Sequence, residues 1–85
     1  MSSIKKTLIY YMPKYIDLAE KLRDNYLEHH YDVDIISQKE QDDIEYARKM
    51  RYDEAIFIED KDTVIIHDIK SGYTERLNIL DVYYK

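Results

Sequence analysis

The chain has 85 residues and a formal net charge of -5, from 13 Lys and Arg against 18 Asp and Glu. A chain of this length forms one domain and buries roughly 60 to 65% of its unfolded surface, which suits one sheet with two or three helices and leaves little room for a deep substrate cavity. The absence of cysteine excludes disulfides and thiolate metal sites, and the acidic balance disfavours general RNA binding, which depends on a basic surface.

The first half of the chain has the pattern strand, helix, strand, helix. Residues 7–12 are rich in β-forming side chains and are followed by Pro13, which suits the first turn of a helix. A stripe of apolar residues predicts a helix over residues 13–29, and residues 31–36 predict the second strand. Ser37 and Glu40 fit a capping box that would start the second helix, with Ile44, Ala47 and Met50 on its apolar face.

The run Glu54 to Asp60 is the centre of the predicted sheet. Its four consecutive apolar residues, 55–58, cannot all face one side of a strand, so this strand must be covered on both faces. Residues 63–69 and 73–80 predict two more strands, joined by a turn that contains Gly72, the only glycine. Glu75 favours the edge of the sheet for the last strand. Residues 81–85 are long enough only for a terminal turn of helix.

Connection lengths predict the topology of this sheet. Strands that are joined through helices become parallel neighbours with right-handed crossovers, whereas turns of a few residues give antiparallel pairs. The result is a mixed α/β sheet of five strands in the order 2-1-3-4-5, in which strands one to three are parallel and strand four is antiparallel. We expect a single domain over residues 1–85.

No arrangement of residues in the sequence points to catalysis. His29 and His30 are adjacent and diverge on a helix, and a metal site at His67 would need Asp60 or Asp62 as partners. There is no Gly-rich phosphate loop. We therefore expect no enzyme activity, no catalytic, cofactor-binding or metal-binding residues, and no cofactor. The short apolar runs and the N-terminus without a hydrophobic region predict no membrane span or signal peptide, and a cytoplasmic protein.

Four stretches, taken in order and spacing, carry a family resemblance that covers about Thr7 to Ile79. They are Ala19-Glu20-Lys21-Leu22-Arg23, Tyr46-Ala47-Arg48-Lys49, Ala55 to Glu59, and Val64 to Gly72. Together they resemble the C-terminal anticodon-binding domain of histidyl-tRNA synthetases, and equally the matching domain of the synthetase paralogue that serves as regulatory subunit of ATP phosphoribosyltransferase in histidine biosynthesis. The resemblance implies a three-layer αβα fold and a domain that contacts the tRNA anticodon without performing chemistry.

Two departures from the synthetase pattern favour the paralogue. Synthetases of this family commonly have Gly-Glu after the third strand and a Lys-rich lead into the second helix. This chain has Glu59-Asp60 at the first place and Gln38-Lys39-Glu40-Gln41-Asp42-Asp43, with three acids and one lysine, at the second. Acidic groups where phosphates would approach weaken RNA binding. The leading hypothesis is a non-catalytic domain of a regulatory subunit that acts through contacts with a protein partner or with a catalytic-like domain of a parent chain.

Two alternatives stay open beside that hypothesis. The first is a true tRNA anticodon-binding domain, whose RNA-binding residues would be Arg48, Arg51, Lys61 and Arg76, as phosphate or base contacts near the ends and edge of the sheet. The second is a structural module without independent binding.

Overall fold

The computed structural model describes residues 5–37 and 43–83. Within them the strands are β1 (Lys6–Tyr11), β2 (Asp32–Ser37), β3 (Glu54–Ile58), β4 (Thr63–Asp68) and β5 (Thr74–Asn78), and the helices are α1 (Ile16–Glu28) and α2 (Asp43–Lys49). Short 3₁₀ turns span Pro13–Tyr15 and Ile79–Asp81. The last strand is shorter than predicted, because the chain leaves the sheet at Asn78. The Asn78 side chain caps the Ile79–Asp81 turn by accepting the N–H of Leu80 at 2.9 Å.

The sheet has the predicted topology. Its strand order is β2-β1-β3-β4-β5. β1 is parallel to β2 and to β3, while β4 runs antiparallel to β3 and to β5. The short turn between β3 and β4 and the turn at Gly72, which has a positive φ of 79°, allow the two antiparallel pairs.

The two faces of the sheet carry separate core clusters, which confirms the three-layer arrangement. On one face, α1 buries Ala19, Leu22 and Tyr26 against Ile9 and Ile56. We call this the α1 face. On the other, the α2 face, a smaller cluster is made by Leu8, Ala47, Tyr52 and Ala55. β3 contributes to both clusters, as its uninterrupted apolar run predicts.

The second helix differs in part from its prediction. Ala47 is buried and Ile44 is half-buried, but Met50 is 45% exposed. The helix ends at Lys49 and Arg51 adopts a left-handed backbone with φ 62°, so Met50 lies in the turn that leads out of the helix and not on its apolar face. Ser37 is the last residue of β2, and its proposed capping partner Glu40 lies outside the described residues.

Candidate nucleic-acid interface

One row of side chains on the α2 face is only half covered. The register places Tyr10 beside Phe57, Phe57 beside Ile65, and Ile65 beside Arg76, so the four residues lie side by side on four adjacent strands. Tyr10, Phe57 and Ile65 are half-buried, and we call these three residues the platform. The Tyr10 and Phe57 rings are stacked, with centroids 5.0 Å apart and planes at 22°. In the described part of the chain, Phe57 and Ile65 belong to neither core cluster.

The platform lies toward the carboxyl ends of β1 and β3. Ligands of open α/β sheets characteristically bind outside the carboxyl ends of the strands, where neighbouring connections leave in different directions. Here β1 continues through the Pro13–Tyr15 turn into α1, whereas β3 turns back into β4. Two exposed lysines belong to these connections: Lys14 follows β1, and Lys61 lies between β3 and β4. This end of the sheet therefore combines partly exposed rings with cationic side chains.

Asp60 fixes the conformation of the turn that carries Lys61. Its Oδ1 atom accepts the backbone N–H groups of Asp62 and Thr63, both at 2.8 Å. The hydrogen bond from Asp62, followed by those from Thr63, lowers the pKa of Asp60, so its carboxylate stays ionised. The Asp60 carboxylate is thus hydrogen-bonded to the backbone of its own turn, and the Lys61 side chain is exposed to solvent.

Arg76, at the β5 end of the row, is held by an acid. Its Nε and Nη2 atoms donate to Oε2 of Glu59 at 3.1 and 2.7 Å, and Nη2 also contacts Oε1. These hydrogen bonds and the charge of Glu59 raise the pKa of Arg76. Because Glu59 follows β3 and Arg76 belongs to β5, the ion pair spans β4.

The four residues predicted to contact RNA do not form one site. Lys61 and Arg76 lie toward the carboxyl end of β3. Arg48 lies in the last turn of α2, which ends at the amino end of β3. The Met50 carbonyl accepts Lys6 Nζ at 3.3 Å, which places this end of α2 beside the start of β1. Arg51 precedes β3, whose five residues separate the two ends by on the order of 17 Å. Arg48 is also paired with Glu45 at 3.2 Å.

Glu54 is a buried acid that the sequence pattern did not identify. In the sequence it directly precedes the apolar residues 55–58 and marks the boundary of that run. Only 6% of the residue is exposed. Its carboxylate accepts the Thr7 hydroxyl at 2.9 Å and pairs with Lys5 Nζ at 3.1 Å. It borders a groove of about 400 Å³ on the α1 face, lined also by Lys5, Ile66 and Asp68. Both carboxylate oxygens have partners within the protein, so Glu54 serves the fold.

The histidines show no ligand arrangement. His67 Nδ1 lies 2.8 Å from Thr74 Oγ1 across the β4–β5 pair. His29 and His30 follow α1, and His30 has a left-handed backbone with φ 66°. Over residues 5–37 and 43–83, no three His, Asp or Glu side chains come close enough to hold a metal ion. Neither α1 nor α2 has the length and apolar character that a membrane-spanning helix needs.

Comparisons with known proteins identify the fold. No protein-family model and no curated protein sequence matches the chain. Among solved structures, histidyl-tRNA synthetase from Nostoc sp. PCC 7120 superposes with a TM-score of 0.77 at 13% identity, over 95% of this chain and 21% of the synthetase. The RNA-binding domain of threonyl-tRNA synthetase from Cryptosporidium parvum Iowa II superposes with a TM-score of 0.70 at 10% identity, over 93% of this chain and 22% of that one.

The chain has the fold of a synthetase anticodon-binding domain. The two matched proteins are similar to it in backbone arrangement, and at these identities the likeness concerns the fold alone. The chain spans about a fifth of the length of each.

Proposed function

We propose that this domain of anticodon-binding type binds single-stranded RNA through the platform and the two exposed lysines, Lys14 and Lys61, on the connections at the same end of the sheet. The observation that carries the proposal is the stacked pair Tyr10–Phe57, half-exposed on a sheet face near the carboxyl ends of the strands. The structural similarity to the RNA-binding domain of a threonyl-tRNA synthetase supports the same function. In this role the domain positions RNA and performs no chemistry.

Each part of the site has a physical role in this proposal. Unstacked bases bind to aromatic side chains with about 1 to 3 kcal/mol per base, and every base has a face that can stack. Phe57 and Tyr10 offer such a surface, while Ile65 extends it by one strand. Lys14 and Lys61 are exposed on the two adjoining connections, where they contact phosphates that follow the stacked bases.

The overall charge sets the expected strength of binding. A net charge of -5 repels RNA at long range and offers few cations for counterion release. Affinity therefore depends mainly on stacking, and we expect dissociation constants on the order of 1 to 100 µM at low salt. A parent protein would supply further contacts to a whole tRNA.

A salt series tests the proposal. Fluorescence anisotropy with a labelled RNA hairpin that has a seven-nucleotide loop measures binding at several salt concentrations. We expect saturable binding that weakens with salt, with a slope of log K against log salt near -1.4 for two lysine contacts to a single strand. Phe57→Ala lowers the affinity at least about fivefold, because one stacking contact is lost. No binding at the lowest salt would overturn the proposal.

A second candidate function rests on the acids that pair with the arginines predicted to contact RNA. Arg76 is engaged by Glu59 and Arg48 by Glu45, so two of the four arginines and lysines predicted to contact RNA carry an acid partner. This favours a domain that acts through protein contacts, as in the synthetase-like regulatory subunit of ATP phosphoribosyltransferase. Co-elution with the catalytic subunit of that enzyme in size-exclusion chromatography, together with no binding of the RNA hairpin, is the result that this candidate requires.

A further inference from the structure

We infer that Glu59 determines which RNA the site accepts: by holding Arg76 across β4, it suppresses ligands that offer phosphates but no unstacked bases. The inference rests on the proposed function, since it concerns the selectivity of the same site. Its basis is the position of the ion pair, which lies at the end of the row that contains the platform and uses the one guanidinium of that row.

The geometry of the pair makes it a competitor for phosphate. Glu59 occupies Nε and Nη2 of Arg76 at 3.1 and 2.7 Å. A phosphate group would use the same donors, because a guanidinium binds planar carboxylate and tetrahedral phosphate oxygens through the same fork. The Glu59 side chain is 30% exposed and that of Arg76 is 66% exposed, so the pair is accessible to exchange. RNA must displace Glu59 before Arg76 can offer a phosphate its Nε–Nη2 fork.

The cost of this exchange differs between two kinds of RNA. A duplex keeps its bases stacked and is bound through phosphates and 2′-hydroxyl groups, so its binding here depends on a free Arg76. A single-stranded loop stacks bases on Tyr10 and Phe57 and places phosphates at Lys14 and Lys61 while Arg76 stays on Glu59. The ion pair therefore weakens duplex binding more than loop binding.

The Glu59→Gln variant separates the two effects. The glutamine has nearly the same shape as the glutamate and lacks its charge, so Arg76 becomes available to phosphate. Exposed pairs are worth up to about 1 kcal/mol, so we expect duplex affinity to rise by up to about fivefold and hairpin-loop affinity by less than about twofold. Anisotropy with a labelled blunt duplex and with the labelled hairpin measures both, in the same buffer and with the same full chain.

Two further variants supply the controls. Glu75→Gln removes one negative charge from the neighbouring position of β5, whose side chain points to the other face, and leaves the Glu59–Arg76 pair intact. We expect it to change both affinities equally and slightly. The double variant Glu59→Gln, Arg76→Gln returns duplex affinity to the wild-type level, because the gain depends on Arg76. Thermal unfolding followed by circular dichroism verifies that each variant is folded.

The outcomes distinguish the two proposals. A smaller preference for hairpin over duplex in Glu59→Gln, reversed by the added Arg76→Gln change, supports the role of Glu59. Wild-type binding to the hairpin with an unchanged preference in Glu59→Gln overturns the inference and leaves the proposed function standing. If neither the wild type nor Glu59→Gln binds the hairpin, the proposed function is wrong and the inference falls with it.

Discussion

The hydroxyl of Thr7 donates a hydrogen bond of 2.9 Å to the carboxylate of Glu54, and both residues are buried between β1 and β3. They are direct neighbours in the parallel register although 47 positions separate them in the chain. With Lys5 on the second carboxylate oxygen, the arrangement places an ion-paired acid at the edge of the core. A buried acceptor that loses its donor is costly, so this contact helps to fix the β1–β3 register.

Replacing Thr7 with valine tests that contact. Valine keeps the shape of threonine but removes the donor, which leaves one oxygen of Glu54 buried without that partner. We expect the free energy of unfolding to fall by about 1 to 3 kcal/mol, measured by urea denaturation. Thr7→Ser keeps the hydroxyl and serves as the control, with a smaller loss from the missing methyl group. Equal stability of Thr7→Val and the wild type would contradict the role assigned to Glu54.

The burial of β3 in the core predicts that a charged side chain at position 58 strongly destabilises the fold. The Ile58 side chain is fully buried on the α1 face. In Ile58→Asp an unpaired carboxylate would cost several kcal/mol, a large part of the roughly 5 to 15 kcal/mol that stabilises a typical domain. We expect loss of the cooperative thermal transition. Ile16→Asp makes the same chemical change at a residue 42% exposed, at the start of α1, and should stay folded. A folded Ile58→Asp variant would contradict the burial of β3 on the α1 face.

Tyr52 contributes to the free energy of unfolding, and this contribution disappears in alkali. Its hydroxyl donates to Asp34 Oδ2 at 2.6 Å, and burial, followed by this hydrogen bond and the charge of Asp34, raises the pKa of Tyr52 above the ordinary value of 10.0. The folded protein therefore holds this proton more tightly than the unfolded chain. The resulting stability is fully present below the unfolded pKa and is lost as pH rises toward the folded pKa.

Tyr52→Phe removes that contribution. We expect it to lower the free energy of unfolding by about 1 to 2 kcal/mol at neutral pH. The difference from the wild type should shrink between about pH 10 and about pH 12, because the wild type alone loses the contribution as pH rises above the unfolded pKa. Urea denaturation at several pH values measures both curves, with Tyr73→Phe, a 61% exposed site, as control. A difference that stays constant over this range would contradict the assignment to Tyr52.

The separation of the cationic residues into two ends predicts which lysines and arginines matter for RNA. Replacing Lys14 and Lys61 together with glutamine should weaken hairpin binding several-fold and reduce the salt slope by about 1.4, as expected for two lost contacts to a single strand. Replacing Arg48 and Arg51 together with glutamine removes the same charge at the opposite end and should leave both quantities nearly unchanged. The reverse result would place the RNA at the amino ends of the strands.

Most of the fold was accessible from the sequence because its signals are local. The apolar run of β3, the polar turns around Lys61 and Gly72, and the stripe of α1 each predict an element, and connection rules then leave the order 2-1-3-4-5. The end of α2 was missed. Met50 continues the apolar spacing of that helix, but the left-handed backbone at Arg51 closes the helix before Met50 reaches the core.

The site was harder to predict from the sequence, because it depends on which residues lie on the same face and at the same end of the sheet. The stacked pair of Tyr10 and Phe57 requires the exact β1–β3 register, which no local pattern contains. The acid partner of Arg76 lies 17 positions away, across an intervening strand. Arg48 and Lys61 are near each other in the chain, yet the direction of α2 carries Arg48 to the other end of the sheet. The buried state of Glu54 likewise follows from Thr7 and Lys5, which are distant in the chain.

The proposed function places single-stranded RNA on the platform of the α2 face. Titration of the isotopically labelled domain with the unlabelled hairpin, followed by NMR, tests it most directly through the aromatic and methyl signals. We expect the largest and saturable shift changes at Tyr10, Phe57 and Ile65, with little change at Ile66, which lines the groove on the α1 face. Shift changes centred on that groove, or none at millimolar RNA, would contradict the claim.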